Sequence, residues 1–152
     1  MRPFPTRPLL KGLRVSTFYN HDGYDRNRPR RRAIVMGSFE HRRFVGTAEW
    51  VAATDRALAT AVTNVNRRGV SFFAEARQNL EGWAAFGRFD RLNNDTALED
   101  RDTRRTIVGA AYWMKWGKTR LGFILDDEAV RYDSALARPS EHRLLSQVHF
   151  QF

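Results

Sequence analysis

The sequence has no cysteine, so it offers neither a disulfide framework nor a thiolate metal site. It also lacks any apolar run of about 18 residues, the length at which a transmembrane helix becomes a candidate. Its amino terminus, Met1–Pro8, contains three prolines and no apolar stretch of the kind that a signal peptide needs. We therefore expect one of three explanations: a signal peptide has been removed, the sequence is the carboxy-terminal piece of a longer chain, or the protein is not exported to a membrane.

Charge of one sign is in excess. The chain carries 26 Lys and Arg against 17 Asp and Glu, a net charge of +9, and most of the basic residues are arginines. Such a balance favours an anionic partner: nucleic acid, anionic lipid or an anionic solute. The 152 residues suit one domain, 1–152, with an irregular lead-in over 1–11. The mean hydropathy of −0.57 averages over strands that are apolar on one face only.

The last ten residues, Arg143–Phe152, alternate with a period of two. One face carries Leu144, Ser146, Val148, Phe150 and Phe152, and the other carries mostly polar residues. This pattern predicts a half-buried strand that ends on an aromatic residue. The same alternation predicts seven earlier strands, at 12–19, 32–40, 44–52, 69–77, 83–90, 106–116 and 119–126.

The connections between these strands alternate in length. Segments 21–30, 54–67, 91–104 and 127–142 are long and polar, and Ala57–Val62 has the composition of a short helix. The turns at 40–43, 79–82 and 116–119 are short. Transmembrane barrels have long loops at one end and short turns at the other, so the alternation predicts an antiparallel, up-and-down transmembrane β-barrel with eight strands in this chain. All the long segments should lie on one side.

Several stretches resemble the carboxy-terminal part of bacterial outer-membrane porins of the phosphate-selective (O/P-type) superfamily. They are Gly12–Val15 with Phe18-Tyr19, Gly82-Trp83 with Gly87–Asp90, Arg105–Trp113, and the terminal strand. Porins of that family form larger barrels, so the resemblance implies part of one. It implies a bacterial outer-membrane location, contact with membrane lipid and lipopolysaccharide, and passage of small hydrophilic solutes. It also implies that Val148, Phe150 and Phe152 form a targeting strand for the barrel-assembly machinery, and it leaves room for a homo-oligomer.

Turning the apolar faces to lipid sends charged residues inward. The predicted pore-lining residues are Arg14, Glu49, Glu75, Arg77, Arg88, Asp90, Arg120, Asp126, Arg143 and His149. A water-filled lumen tolerates such charges and a dry core does not. Because inward arginines slightly outnumber inward carboxylates, we expect passive diffusion with a weak anion preference. A lysine-rich anion ladder is missing, so phosphate selectivity is not carried over from the family.

No residues group into a catalytic site, a cofactor site or a metal site, and the chain is expected not to be an enzyme. His21, His41 and His142 fall in predicted loops or turns, and His149 and Ser146 lie on opposite faces of one strand. The clusters Asp126–Glu128 and Asp100 with Asp102 are interpreted as solvated loop residues. The basic run Arg28–Arg32 lacks the stacking aromatics of a single-strand nucleic-acid binder and fits a loop that meets lipopolysaccharide.

Two other functions stay open. A self-contained eight-stranded outer-membrane barrel with a plugged interior would have a structural or adhesion role. A soluble barrel of the lipocalin type would bind a ligand instead. Partition between detergent micelles and plain buffer separates the membrane proteins from the soluble one.

Overall fold

A computed structural model describes residues 11–23, 29–56, 64–79 and 81–151. The described part forms one antiparallel sheet in which each strand pairs with its neighbours in sequence, in the order β1 to β8. The strands are β1 (Leu13–Gly23), β2 (Pro29–Glu40), β3 (Phe44–Arg56), β4 (Asn64–Arg77), β5 (Gly82–Asn93), β6 (Asp102–Trp116), β7 (Thr119–Tyr132) and β8 (Glu141–Gln151), with a 3₁₀ turn at Ser134–Leu136.

The eight predicted strands are confirmed, and so is the up-and-down order. Because neighbours are antiparallel throughout, the strand ends that the four long connections join lie at one end of the sheet, and those that the three short turns join lie at the other. Gly117, at φ 64°, occupies the left-handed region that a two-residue hairpin turn requires. The predicted helix at Ala57–Val62 lies outside the described residues, as do the lead-in over 1–10 and Phe152.

The predicted strand ends are accurate at the short turns and wrong at the long loops. There β1, β2, β3 and β4 run on by three to five residues, and β7 continues from Asp126 to Tyr132. The long connections are correspondingly shorter than the sequence suggested. The reason is that backbone pairing continues after the apolar alternation has stopped, because ladder hydrogen bonds do not require apolar side chains.

Cross-strand pairing places the apolar faces of all eight strands on one side. We call this the outer face; it includes Val15, Val35, Trp50, Phe72 and Phe89, which lie in neighbouring rows. The opposite side is the inner face. Along β6, between Thr103 and Met114, outer residues such as Val108 are exposed, whereas inner residues are half-buried or buried. On this strand the two faces therefore differ in accessibility as well as in composition, whereas β1 and β8 are exposed on both faces.

The sheet curls around its inner face. A pocket of about 390 Å³ on that face is lined by Glu75 and Arg77 of β4 together with His149 and Gln151 of β8. In a flat sheet these strands would lie about 19 Å apart, since neighbours are separated by about 4.8 Å. Only a curled sheet brings them to one pocket. The sheet is nevertheless open, because among the described residues β1 pairs only with β2 and β8 only with β7.

Candidate functional site: an uncharged outer band and a charged inner face

The outer face carries a continuous band without charge. Counted from the short-turn end, at least the first four outward positions of every strand are neither acidic, basic nor histidine. The first outward residues that break this rule come near the long-loop end. They are His21 on β1, Arg31 on β2, Arg68 on β4, Arg91 on β5, Arg104 on β6, Asp127 on β7 and His142 on β8.

The height of this band is comparable to the apolar thickness of a bilayer. On β6 the uncharged outward residues run from Trp116 to Thr106, ten residue steps or about 34 Å along a strand, and on β5 they run from Trp83 to Phe89, six steps or about 20 Å. At the usual barrel tilt of 35–45° these lengths project to about 24–28 Å and about 14–17 Å, and outer-membrane barrels have an apolar band of about 25 Å. Phe72, near the middle of the band on β4, is 52% exposed. Such exposure of a large apolar residue is costly in water when it is repeated over a whole face.

Aromatic residues edge the band at its short-turn end. Trp83 and Tyr112 meet edge-to-face with ring centroids 5.1 Å apart, and Trp116 lies 6.4 Å from Phe150. Trp83 is 63% exposed and Trp116 is 62% exposed, although both belong to an otherwise apolar surface. Amphipathic rings favour the headgroup level of a membrane, where one side of the ring is apolar and the other wet.

The inner face holds every one of the ten residues expected to line a pore. The register places them on one side of the sheet: Arg14, Glu49, Glu75, Arg77, Arg88, Asp90, Arg120, Asp126, Arg143 and His149. Arg14, Arg88 and Arg143 fall in a single row that crosses all eight strands. The carboxylates of Glu49 and Asp90 lie in the adjacent row toward the long loops.

These charges are paired in a network on β5 to β8. Arg88 Nε donates to both carboxylate oxygens of Asp90, at 2.9 and 3.0 Å. Gln147 Nε2 donates to Asp126 at 3.0 Å. The most protected pair joins Arg105 to Glu128, with contacts of 2.8 and 3.2 Å. Only 9% of the Glu128 side chain is exposed. The face therefore carries paired charges of both signs and not a single-sign patch.

Sequence reasoning missed Arg105 and Glu128. Both fall just beyond the predicted strand bounds, Arg105 one residue before Thr106 and Glu128 two residues after Asp126. The alternation does continue through them, since Arg105 shares the inner face with Ile107 and Glu128 shares it with Asp126. That continued period-two pattern was the available signal. Asp126–Glu128 is accordingly a strand segment, with Asp126 and Glu128 buried, and its interpretation as a solvated loop cluster is wrong.

Aromatic rings also lie on the inner face. The Trp113 ring covers Gly122 on the neighbouring strand: a Cβ at that glycine would come within 2.6 Å of it. Arg120 stacks over the same ring at 5.1 Å. Phe86 covers Gly109 in the same manner, so that a Cβ at this glycine would collide with the Phe86 ring. These glycines let large rings lie flat against a curved sheet, which reduces the open cross-section on this side.

The basic run at Arg28–Arg32 is not a free loop over its described part. Arg30 and Arg32 belong to β2 and contact Asp55, Arg32 at 2.9 Å and Arg30 at 3.9 Å. Arg67 reaches the same carboxylate at 3.5 Å. Arg31 faces outward instead. The expectation of a solvated basic loop is therefore wrong for the described residues. Three arginines, two of them from this run, contact the Asp55 carboxylate on the inner face.

Three of the four histidines contact an aromatic ring, a carboxylate or an amide. His41 lies in a turn between Phe39 and Phe44, and His142 Nε2 contacts Asp127 at 2.8 Å on the outer face. His149 contacts Gln147 at 3.2 Å, on the face opposite Ser146. His21 and His142 lie in β1 and β8, so their predicted placement in loops is wrong. Within the described ranges no cluster of His, Asp and Glu could hold a metal ion.

The loop end of β7 and β8 is tied by polar contacts. The Tyr132 hydroxyl donates to Glu141 at 2.9 Å, and Arg143 also donates to that carboxylate. These two hydrogen bonds lower the pKa of Glu141, and the one from Tyr132 has the larger effect. Asp102, which sequence reasoning treated as a loop residue with Asp100, is instead buried in β6 and is contacted by Arg91 at 2.5 Å.

Comparisons with protein-family models, curated proteins and solved structures found no match to this chain. In the described part of the chain, no helix is long and apolar enough to cross a membrane.

Proposed function

We propose that this chain forms part of the wall of an outer-membrane, porin-like channel through which small hydrophilic solutes diffuse passively. One observation carries the proposal: the described part of the chain forms a single sheet that presents an uncharged outer band of bilayer height and a charged, curled inner face. Lipid is the medium that makes such an outer face favourable. Water is the medium that makes such an inner face favourable.

A soluble sheet does not account for these two faces as well. A lipocalin-like barrel buries its apolar side chains inside and turns charges outward. Here the arrangement is reversed, with Val108 exposed at 58% on the outer face and Asp126 only 5% exposed on the inner face. The direction of curling therefore argues for a membrane protein over a soluble ligand carrier.

The plugged barrel is the second candidate, and the inner aromatic rings favour it. Trp113, Phe73 and Phe86 occupy the space into which the arginines also project. Eight strands closed on themselves would enclose an interior just wide enough for such side chains. The open edges at β1 and β8 argue for the larger barrel, because unpaired backbone groups in lipid cost several kcal/mol each.

Planar-bilayer recording of the complete barrel that contains this chain tests this function. In a salt gradient we expect a reversal potential that indicates a weak preference for anions, since inward arginines and carboxylates nearly balance. The variant Arg14→Gln/Arg88→Gln/Arg143→Gln removes one inner row of cations and should shift the preference toward cations. Strong cation selectivity in the unmodified chain would contradict the assignment of the inner face. Absence of conductance after insertion would favour the plugged barrel.

A further inference from the structure

A row of three arginines lies on the outer face at the long-loop end. Arg91 of β5 pairs directly with Arg104 of β6, which pairs directly with Arg131 of β7. Arg68 lies one row further toward the loops, on the neighbouring strand β4. Like charges placed directly opposite one another on adjacent strands are destabilising. An anion from outside the chain that binds to the row would reduce this repulsion.

Carboxylates of the chain neutralise this row only in part. Asp102 contacts Arg91 at 2.5 Å and Arg104 at 3.8 Å, and Asp133 contacts Arg104 at 3.6 Å. Both arginines remain about half exposed, at 56% for the Arg91 side chain and 51% for that of Arg104. Four arginines face two carboxylates, so the cluster keeps a net positive charge. Asp102 itself is buried, and it orients the Arg91 guanidinium without covering it.

A surface pocket adjoins the row at the upper limit of the uncharged band. It measures about 210 Å³ and is lined by Trp50, Val70, Arg68, Arg91 and Asn93, with the Gly69 backbone between them. Its volume equals the liquid volume of about seven water molecules, enough for a phosphorylated headgroup. Apolar side chains line one part of the pocket and cationic or amide groups line the other. That division matches the boundary between acyl chains and headgroups.

We propose that Arg68, Arg91, Arg104 and Arg131 bind the phosphates of anionic membrane lipids at the outer rim of the sheet, with Arg68 and Arg91 at the pocket and with Arg104 and Arg131 extending the cationic surface along the row. Guanidinium groups bind phosphate oxygens in bidentate fashion, and arginines at this depth attract anionic headgroups. The acyl chains would lie along Trp50, Phe72 and Phe89 on the band below. This inference rests on the proposed membrane location of the chain and adds a lipid site to it.

Native mass spectrometry of the chain released from detergent tests the site. The probe is phosphatidic acid, whose headgroup exposes one phosphate, with phosphatidylcholine of the same acyl chains as the comparison. We expect the unmodified chain to retain phosphatidic acid preferentially. Replacing the row, as Arg91→Gln/Arg104→Gln/Arg131→Gln, should weaken that retention at least tenfold.

The inner-face variant Arg14→Gln/Arg88→Gln/Arg143→Gln is the matched control, because it removes the same charge from another row of three. Equal loss of phosphatidic acid in both variants would overturn the site, because it would show that retention depends only on the overall charge of the chain. If inorganic phosphate, at a concentration similar to that of the lipid, displaces phosphatidic acid, the site binds free phosphate and the lipid assignment is overturned. The conservative variant Arg91→Lys/Arg104→Lys/Arg131→Lys should retain part of the binding, and it guards against a misfolded glutamine variant.

Failure of the proposed channel gives a different result. A chain that does not float with lipid vesicles is not a membrane protein, whichever lipid it retains. A chain that floats and conducts but shows no headgroup preference keeps its channel function and loses the lipid site.

Discussion

At the scale of single residues, burial decides which ion pairs stabilise the sheet. Arg105 and Glu128 form a forked pair in which the carboxylate is almost covered. Arg14 and Glu40 form a pair at 3.0 Å in which both side chains are about half exposed. Exposed pairs contribute little, because water and salt screen them. A covered carboxylate that loses its partner keeps its full desolvation penalty.

We therefore expect Arg105→Ala to lower the free energy of unfolding by about 1.5–3 kcal/mol. The matched variant Arg14→Ala should lower it by less than about 1 kcal/mol. Urea unfolding in detergent micelles, followed by far-ultraviolet circular dichroism, measures both. Equal losses in the two variants would show that the burial of Glu128 has no energetic weight.

At the scale of strands, alternation on the apolar faces predicted which residues share a side. The residues predicted to point inward on β1, β3, β4, β5, β7 and β8 do share one face of the sheet. The alternation did not predict how far the ladders run toward the long loops, because there both faces become polar and the pattern loses contrast. Arg105 and Glu128 were missed for that reason, as was the outward row of Arg91, Arg104 and Arg131. A row across three strands depends on register, which no single strand reveals.

Substitutions at two neighbouring residues of β4 test whether the outer face of this strand meets lipid or water. Phe72→Arg places a charge within the outer band and should destabilise the chain folded in lipid by about 2–4 kcal/mol. Ser71→Arg places the same charge on the inner face, opposite Glu49 and Asp90, and should be nearly neutral. Unfolding in lipid vesicles provides the comparison. If Phe72→Arg is as harmless as Ser71→Arg, the outer band does not face lipid.

At the scale of the whole molecule, the sheet has two different surfaces and, among the described residues, an edge strand at each end, β1 and β8. Its curvature is strong enough to bring β4 and β8 to one pocket, yet β1 and β8 are not paired in the described part. The length alternation of the connections was sufficient to predict the topology, because an up-and-down sheet places every second connection at the same end. Closure could not be predicted in the same way, because alternation along a strand carries no information about how many strands complete a barrel.

The central claim is that lipid covers the outer face and water covers the inner face. Single-cysteine labelling tests it directly. The chain contains no cysteine, so each introduced thiol is the only one present. Thr47→Cys places the thiol on the half-buried inner face of β3, and Ala48→Cys places it on the exposed outer face one residue later. A charged, membrane-impermeant maleimide is added to the chain in lipid vesicles.

Our account predicts that Cys at 47 is labelled and Cys at 48 is protected. This order is the reverse of what the accessibility of the bare sheet would give, since Ala48 is the more exposed of the two residues. Rapid labelling at 48 with slow labelling at 47 would contradict the account. It would show that water, and not lipid, covers the outer face.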